Sequence, residues 1–294
     1  INLKYTMSMK KNVLTILIAL LSVSNMFAGK VLESLKFQSN ILKGEVKYSI
    51  YLPDGYDTSE RSYPVLYLLH GWTDDETAWV QYGNVQQIAD KTIQSQAATP
   101  MIIVMPDAGE TWYVNSYDGK VCYEDMFFKE LIPYIEKTYR VRTHRQYRAI
   151  SGLSMGGYGS FLYTLHHPDY FSACAPLSAA VYTNEMIEKS KNDMRGKLFD
   201  KLYGKGNLTP HWDKNSVLLL MENLSAEEFP RAKFYIDCGD DDTLLHGNNL
   251  IHEIMQSKNI KHEFRVRDGG HTWTYWRTAL PSVMEFVSRV FCGS

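Results

Sequence analysis

An α/β fold, a mostly parallel central sheet with helices on both faces, follows from three features of the sequence. Short apolar runs recur at intervals that leave room for a helix between them. One long segment, 181–230, interrupts that rhythm once and the rhythm then resumes. One run, 147–150, leads into the pentapeptide Gly152-Leu153-Ser154-Met155-Gly156 and then into a helical stretch, a strand–turn–helix junction centred on a serine.

The alternation begins near residue 36. Residues 46–52 alternate and end in the turn Pro53-Asp54-Gly55, which marks a strand. Val65–Leu69 (VLYLL) is apolar throughout, as expected of a strand buried on both faces. Helical spacing covers Val85–Gln94, followed by a strand at 101–105 and a helix at 123–139. A strand at 147–150, a helix over Met155–His166 and a strand at 171–177 come next. Residues 181–230 are rich in Lys, Asn and Glu, carry Tyr203 and Trp212, and show no strand pattern. Such an insertion either covers the carboxyl edge of the sheet, where ligands bind, or is a helical excursion with no part in a site. A strand at 233–238, a helix at 248–257, a strand at 262–266 and a helix at 280–291 complete the order. No repeat, low-complexity tract or interdomain linker is visible, so residues 29–294 read as one domain.

Composition narrows the function. Of 294 residues, 45% are hydrophobic and 22% charged, ordinary for a globular protein. The formal charge of −2 and the lack of any Lys/Arg run argue against nucleic acid as a partner. Residues 1–28 read as a secretory signal: Lys10 and Lys11 precede an apolar run, then small and polar residues ending at Ala28. Translation is expected to start at Met7 or Met9, with residues 1–6 an upstream extension. Cleavage after Ala28 leaves 28 basic against 33 acidic residues, a net charge of −5. The expectation is a secreted or periplasmic protein with no membrane anchor once the signal is removed. Cys122, Cys174, Cys238 and Cys292 match neither a metal-binding nor a disulfide-framework spacing. Cys174 and Cys238 lie in apolar strands, as buried free thiols do, and no metal or cofactor is expected.

G-x-S-x-G carries chemistry for a steric reason. The serine occupies a strained turn between strand and helix, and a Cβ two positions to either side would clash with it. Gly157 and Gly159 also keep the following helix lean against the sheet. The helix N-terminus places partial positive charge beside Ser154, the candidate nucleophile. A base and its orienting acid should follow in the order Ser, acid, His. His166 and His167 end a helix, and His144, His211, His252 and His262 lack a strand-end turn. His271 follows the 262–266 strand and a Gly269-Gly270 turn, which puts it on the same sheet edge as Ser154. For the acid, Asp240, Asp241 and Asp242 follow the 233–238 strand, while Asp237 inside it points into the sheet's flank. Loop length favours Asp242 over Asp241 only slightly. The backbone N–H of Met155, after the nucleophile, and of Trp72, in the His70-Gly71-Trp72 turn, are the expected oxyanion donors. Trp79, Tyr113, Tyr117, Trp212 and Trp273 are candidates to line an acyl or sugar site, although packing alone accounts for each.

With these residues in place the chain resembles the esterase-D-like family of α/β-hydrolases, and more closely the feruloyl and acetyl-xylan esterases of carbohydrate esterase family 1. The matching stretches are 65–71, 147–157, 238–245 (CGDDDTLL) and 269–276 (GGHTWTYW). The resemblance implies an α/β-hydrolase fold, Ser154 as nucleophile, His271 as base and Asp242 as acid. It also implies a serine carboxylic-ester hydrolase that removes feruloyl or acetyl groups from plant polysaccharide through an acyl-enzyme. S-formylglutathione hydrolases and general short-chain carboxylesterases share the superfamily, but the former usually carry a Cys soon after the HG turn, where this chain has Trp72-Thr73-Asp74. A mycolyltransferase-like acyltransferase and a catalytically silent binding protein are the other readings of the same fold.

Overall fold

The computed structural model describes residues 28–293. The expected signal segment therefore lies, apart from Ala28, outside the described residues. The core is one mixed eight-stranded sheet, ordered β1-β2-β4-β3-β5-β6-β7-β8. Its strands are β1 (Lys30–Ser39), β2 (Gly44–Leu52), β3 (Val65–Leu69), β4 (Ile102–Pro106), β5 (Arg148–Leu153), β6 (Ala173–Leu177), β7 (Lys233–Gly239) and β8 (His262–Arg267). β1, β2 and β4 pair antiparallel, and every pair from β4 to β8 is parallel. The helices are α1 (Ala78–Gln81), α2 (Val85–Gln94), α3 (Tyr123–Met126), α4 (Ile132–Thr138), α5 (Met155–His166) and, within the insertion, α6 (Asn184–Ser190), α7 (Met194–Tyr203), α8 (Pro210–Asn215) and α9 (Val217–Asn223). α10 (Leu245–Ser257) and α11 (Trp273–Phe291) complete the chain.

Period-two alternation divides the apolar runs between two cores. Val65, Tyr67 and Leu69 of β3 face one core with Ile150, Phe161 and Ile251. Leu66 and Leu68 face the other with Val85, Ala89, Val283 and Val287. Continuous hydrophobicity in these strands is thus a consequence of burial on both faces. Among the described residues no helix is long and apolar enough to cross a membrane.

Several elements differ from the sequence expectation. β1 precedes the first expected strand and was hidden by its half-exposed pattern and by a register shift between Leu32 and Leu35, where Ser34 takes φ 52°. The helix expected at 123–139 contains a π-helical turn, Phe127–Leu131. That turn presents Glu130 to the β1–β2 hairpin, where its carboxylate accepts from Ser39 Oγ at 2.5 Å and from the Asn40 N–H at 3.0 Å. α11 begins seven residues before the expected 280, capped by Thr272 and running through Pro281. A proline reads naturally as a first-turn residue, and here packing carries the helix past it.

His166 ends α5 as expected and His167 caps it, and both are half-buried. Both bond the Glu124 carboxylate, at 2.8 and 2.9 Å. His166 Nε2 also donates to the Lys214 carbonyl at 2.8 Å, so one imidazolium ties α3, α5 and α8 together. Burial would raise the Glu124 pKa, but the two histidines outweigh it and hold the carboxyl at about 2. For His166 burial works downward, and the bond to Glu124 raises it above its ordinary value. The Glu124 contribution is complete above its ordinary value of 4.5 and is lost as pH falls towards about 2. The His166 contribution is complete below 6.5 and is lost as pH rises through its raised value. Glu124→Gln should therefore cost about 1–3 kcal/mol, with the largest loss of melting temperature between the ordinary values of 4.5 and 6.5. A pH series of thermal melts on both proteins checks this, and a pH-independent difference would refute it.

Candidate active site

Ser154 joins β5 to α5 and holds φ 54°, ψ −116°, a conformation that costs a residue with a side chain about 1–3 kcal/mol. The flanking glycines have the steric role expected of them. A Cβ on Gly152 would stand 2.7 Å from the Gly156 backbone, and one on Gly156 would stand 2.6 Å from the Leu69 carbonyl oxygen. Backbone bonds tie the turn down: the Ser154 N–H donates to Leu177 O at 3.0 Å, and Ser154 O accepts from the Ala180 N–H at 2.9 Å.

Asp242 and His271 ride on adjacent loops after β7 and β8. These loops are laced together through Asp240 N–H to Arg267 O at 2.9 Å and Asp241 N–H to Gly269 O at 3.1 Å. The Gly269 N–H returns to Asp240 Oδ1 at 2.9 Å. The lacing delivers His271 Nδ1 to 2.8 Å from Asp242 Oδ2 and His271 Nε2 to 3.0 Å from Ser154 Oγ. An ionised carboxylate only accepts, so Nδ1 carries the ring proton and Nε2 is left to receive one from the serine. Asp242 Oδ1 accepts from the Leu244 N–H at 2.8 Å. Burial works against ionising Asp242, yet the bonds from His271, from the Leu244 amide and from Ser178 hold its carboxyl below the usual range. The acid side chain is fully enclosed while His271 is one-third exposed.

The neighbouring acids have other partners or none. Asp237 is buried within β7 and accepts from Tyr235 Oη at 2.6 Å and Tyr275 Oη at 2.5 Å, with Arg267 at 3.2 Å, a structural cluster. Asp240, Asp241 and Asp268 form the one grouping among the described residues close enough to share a cation. All three are exposed, and Asp240 already serves the Gly269 amide. The four cysteines are free thiols, with Cys174 and Cys238 buried.

Ser178 and Trp276 complete the surroundings of the acid and base. Ser178 is buried with φ 45°, and its Oγ accepts from Trp276 Nε1–H at 3.1 Å. The hydroxyl is among the groups that stabilise ionised Asp242. The Trp276 ring meets the His271 ring edge to face, centroids 4.8 Å apart. Ser178 left no signal in the sequence, because a serine after an apolar strand is unremarkable.

Gly71 brings the expected oxyanion turn to the nucleophile: a Cβ there would stand 3.6 Å from Ser154 Cβ. Met155 opens α5, and the first N–H groups of a helix have no intrahelical acceptor.

The aromatic candidates separate into two groups. Trp79, Tyr113 and Trp212 are at most 2% exposed and offer no surface to a ligand, contrary to the expectation that they line a site. Each instead directs its polar atom inward, Trp79 Nε1 to Leu69 O at 3.0 Å, Tyr113 Oη to His70 O at 2.9 Å and Trp212 Nε1 to Asn184 Oδ1 at 2.8 Å. Tyr117 is 53% exposed, and half-buried Trp273 packs between Trp79 and Trp276 with Tyr82 beside it. Half-buried Trp72 donates Nε1–H to Glu110 at 3.0 Å. Tyr82, 54% exposed, was not among the sequence candidates.

Known proteins share this arrangement of elements. A solved ferulic acid esterase superposes with a TM-score of 0.79 at 34% identity, covering 90% of this chain and 99% of its own. An esterase of Mycobacterium tuberculosis is 27% identical over 81% of this chain, which spans only 55% of that protein's length. An endo-1,4-beta-xylanase/feruloyl esterase of Xylanibacter ruminicola is 35% identical over 150 residues, 49% of this chain and 21% of that protein. An S-formylglutathione hydrolase from Staphylococcus aureus, 24% identical with a TM-score of 0.71, shares the fold. The family model described as Putative esterase matches residues 39–286, and the chain belongs to that family.

Proposed function

We propose that the protein is an exported carboxylic-ester hydrolase that cleaves feruloyl or acetyl esters of plant polysaccharide by a two-step acyl transfer. The observation that carries this reading is the unbroken hydrogen-bonded line from Asp242 through His271 to Ser154 Oγ. In the first step Ser154 Oγ attacks the ester carbonyl while His271 Nε2 takes its proton. The negative charge of the tetrahedral intermediate is accepted by the Trp72 and Met155 amides. Asp242 stabilises the imidazolium without taking the proton. Collapse breaks the bond to the alcohol oxygen, which leaves with the proton from His271, and the acyl group stays on Ser154. Water, deprotonated by His271, then attacks the acyl carbon, and release of the acid returns the proton to Ser154.

The feruloyl assignment draws on the resemblance to a ferulic acid esterase across nearly the whole described chain. It also draws on half-buried Trp72 and Trp273, beside the oxyanion turn and His271, and on exposed Tyr82 next to Trp273, rings of the type that receive a phenolic group. Export rests on residues 1–28, whose charge and apolar pattern are those of a secretory signal.

An alkyl fluorophosphonate should label the wild type at one site, and Ser154→Ala should take no label; label retained by that variant would sink the assignment. A turnover panel of methyl ferulate, acetylated xylan, S-formylglutathione and a short-chain nitrophenyl ester should favour the first two. Preference for the thioester would overturn the polysaccharide reading. Ser178→Gly removes the hydroxyl that faces Asp242 and relieves φ 45° at the same position. Relief of that φ and loss of the acceptor for Trp276 Nε1–H oppose each other in stability, so the variant is read by kcat per titrated site, which should fall about tenfold, equivalent to ~1.4 kcal/mol. Full activity would limit Ser178 to a backbone role.

A further inference from the structure

At the end of β3, three successive carbonyls are each held by the ring of a buried side chain. Leu69 O accepts from Trp79 Nε1–H at 3.0 Å, His70 O from Tyr113 Oη–H at 2.9 Å, and Gly71 O from the His70 ring at 2.7 Å. The tautomer of His70 follows from its other bond. The Ala108 backbone N–H donates to His70 Nε2 at 2.8 Å, and an amide N–H has no other role, so Nε2 carries the lone pair and Nδ1 the proton. Burial works in the same direction, holding the imidazole below its ordinary pKa and therefore neutral.

The consequence lies in the next peptide bond. The Gly71–Trp72 peptide is trans, so its C=O and N–H point in opposite directions. The Gly71 oxygen is fixed on one side by His70 Nδ1–H and by the Asp74 N–H at 3.2 Å. The Trp72 N–H is thereby fixed on the other, within a turn whose Gly71 stands against Ser154. The support has its own cost. Tyr113 reaches the His70 carbonyl from a loop in which Trp112 and Tyr113 both take left-handed φ, 53° and 59°. Its ring fills space that Gly159 leaves open, where a Cβ would stand 2.6 Å away. Two consecutive non-glycine residues in that region persist only where the surroundings over-determine them.

We infer that His70, Trp79 and Tyr113 are positioning residues that pre-orient the Trp72 N–H as an oxyanion donor, through the three carbonyls of the turn. At 1%, 1% and 0% exposure they touch no substrate, so they act only through the backbone. This inference rests on the acyl-transfer reading above. Donors held in place act on charge that develops in the transition state, so their loss lowers kcat rather than raising KM.

The test compares wild type, Tyr113→Phe, His70→Leu and His70→Asn, with kcat expressed per active site titrated by an alkyl fluorophosphonate. His70→Leu should lose about tenfold to a hundredfold in kcat, and Tyr113→Phe several-fold, with KM within about twofold of wild type. The inhibition constant of an aryl boronic acid, whose tetrahedral adduct uses the same donors, should weaken by the same factor as kcat/KM. His70→Asn keeps an N–H near the Nδ1 position and should recover most of the loss. If His70→Leu does not fold, Tyr113→Phe, which removes one oxygen atom, carries the same comparison. A per-site kcat within about twofold of wild type in the folded variants, or a fall in kcat with unchanged boronate affinity, overturns the inference. A wild type that neither hydrolyses esters nor takes the label would instead overturn the acyl-transfer reading on which it rests.

Discussion

The carboxyl edge of this sheet depends on how closely two pieces of backbone approach each other. Where β5 turns into α5, the Gly156 Cα comes within a side chain's reach of the Leu69 and His70 carbonyls at the end of β3. Nothing larger than hydrogen fits. That contact holds the serine turn in its strained conformation and brings the 70–72 turn beside Ser154. One steric constraint therefore sets both the nucleophile's exposure and the location of the amides that would receive negative charge. Strand order supplies the rest, since β5, β7 and β8 are parallel and so release Ser154, Asp242 and His271 at the same edge.

The parts of this arrangement that were legible in the sequence are those with a local signature. Gly152 and Gly156 advertise a tight turn, the apolar runs advertise strands buried on both faces, and the Gly269-Gly270 turn points to His271. Spacing alone left Asp241 and Asp242 nearly equivalent. The resemblance singled out Asp242, and its physical reason is the lacing of two loops 29 residues apart, which no local pattern encodes. Burial was the least legible property. Trp79, Tyr113 and Trp212 carry an apolar body with a polar tip, so in sequence they suit a wet binding face and a core equally. Their tips are satisfied by a backbone carbonyl or an amide oxygen from elsewhere in the chain, and that tertiary fact decides the matter. β1 escaped notice for a related reason: a bulged edge strand with one half-wet face lacks the alternation that identifies β2.

The insertion is more than a helical excursion. Trp112 packs edge to face on Phe199 of α7, and Tyr158 of α5 donates its hydroxyl to the Asn215 carbonyl at 2.7 Å. The Tyr117 N–H donates to Leu202 O at 2.8 Å, and His211 bonds the Asn115 carbonyl. Residues 107–122, whose first half supports the 70–72 turn, are thus clamped from outside by α7 and α8. Two of the four insertion helices brace the loop that braces the turn.

The lacing of the β7 and β8 loops has a mechanical consequence. Asp242 and His271 share backbone bonds across their loops and a hydrogen bond between their side chains, so any displacement at that end of the sheet carries them as one body. Ser154 is held by its own backbone bonds, to Leu177 O and from the Ala180 N–H. β8 is the outermost strand, whereas β5 lies near the middle of the sheet. The 3.0 Å contact between His271 Nε2 and Ser154 Oγ joins those two pieces, while the acid–base pair lies within one of them. Proton transfer from the serine therefore crosses between two separately tied pieces of backbone, while the imidazole and its carboxylate are tied within one.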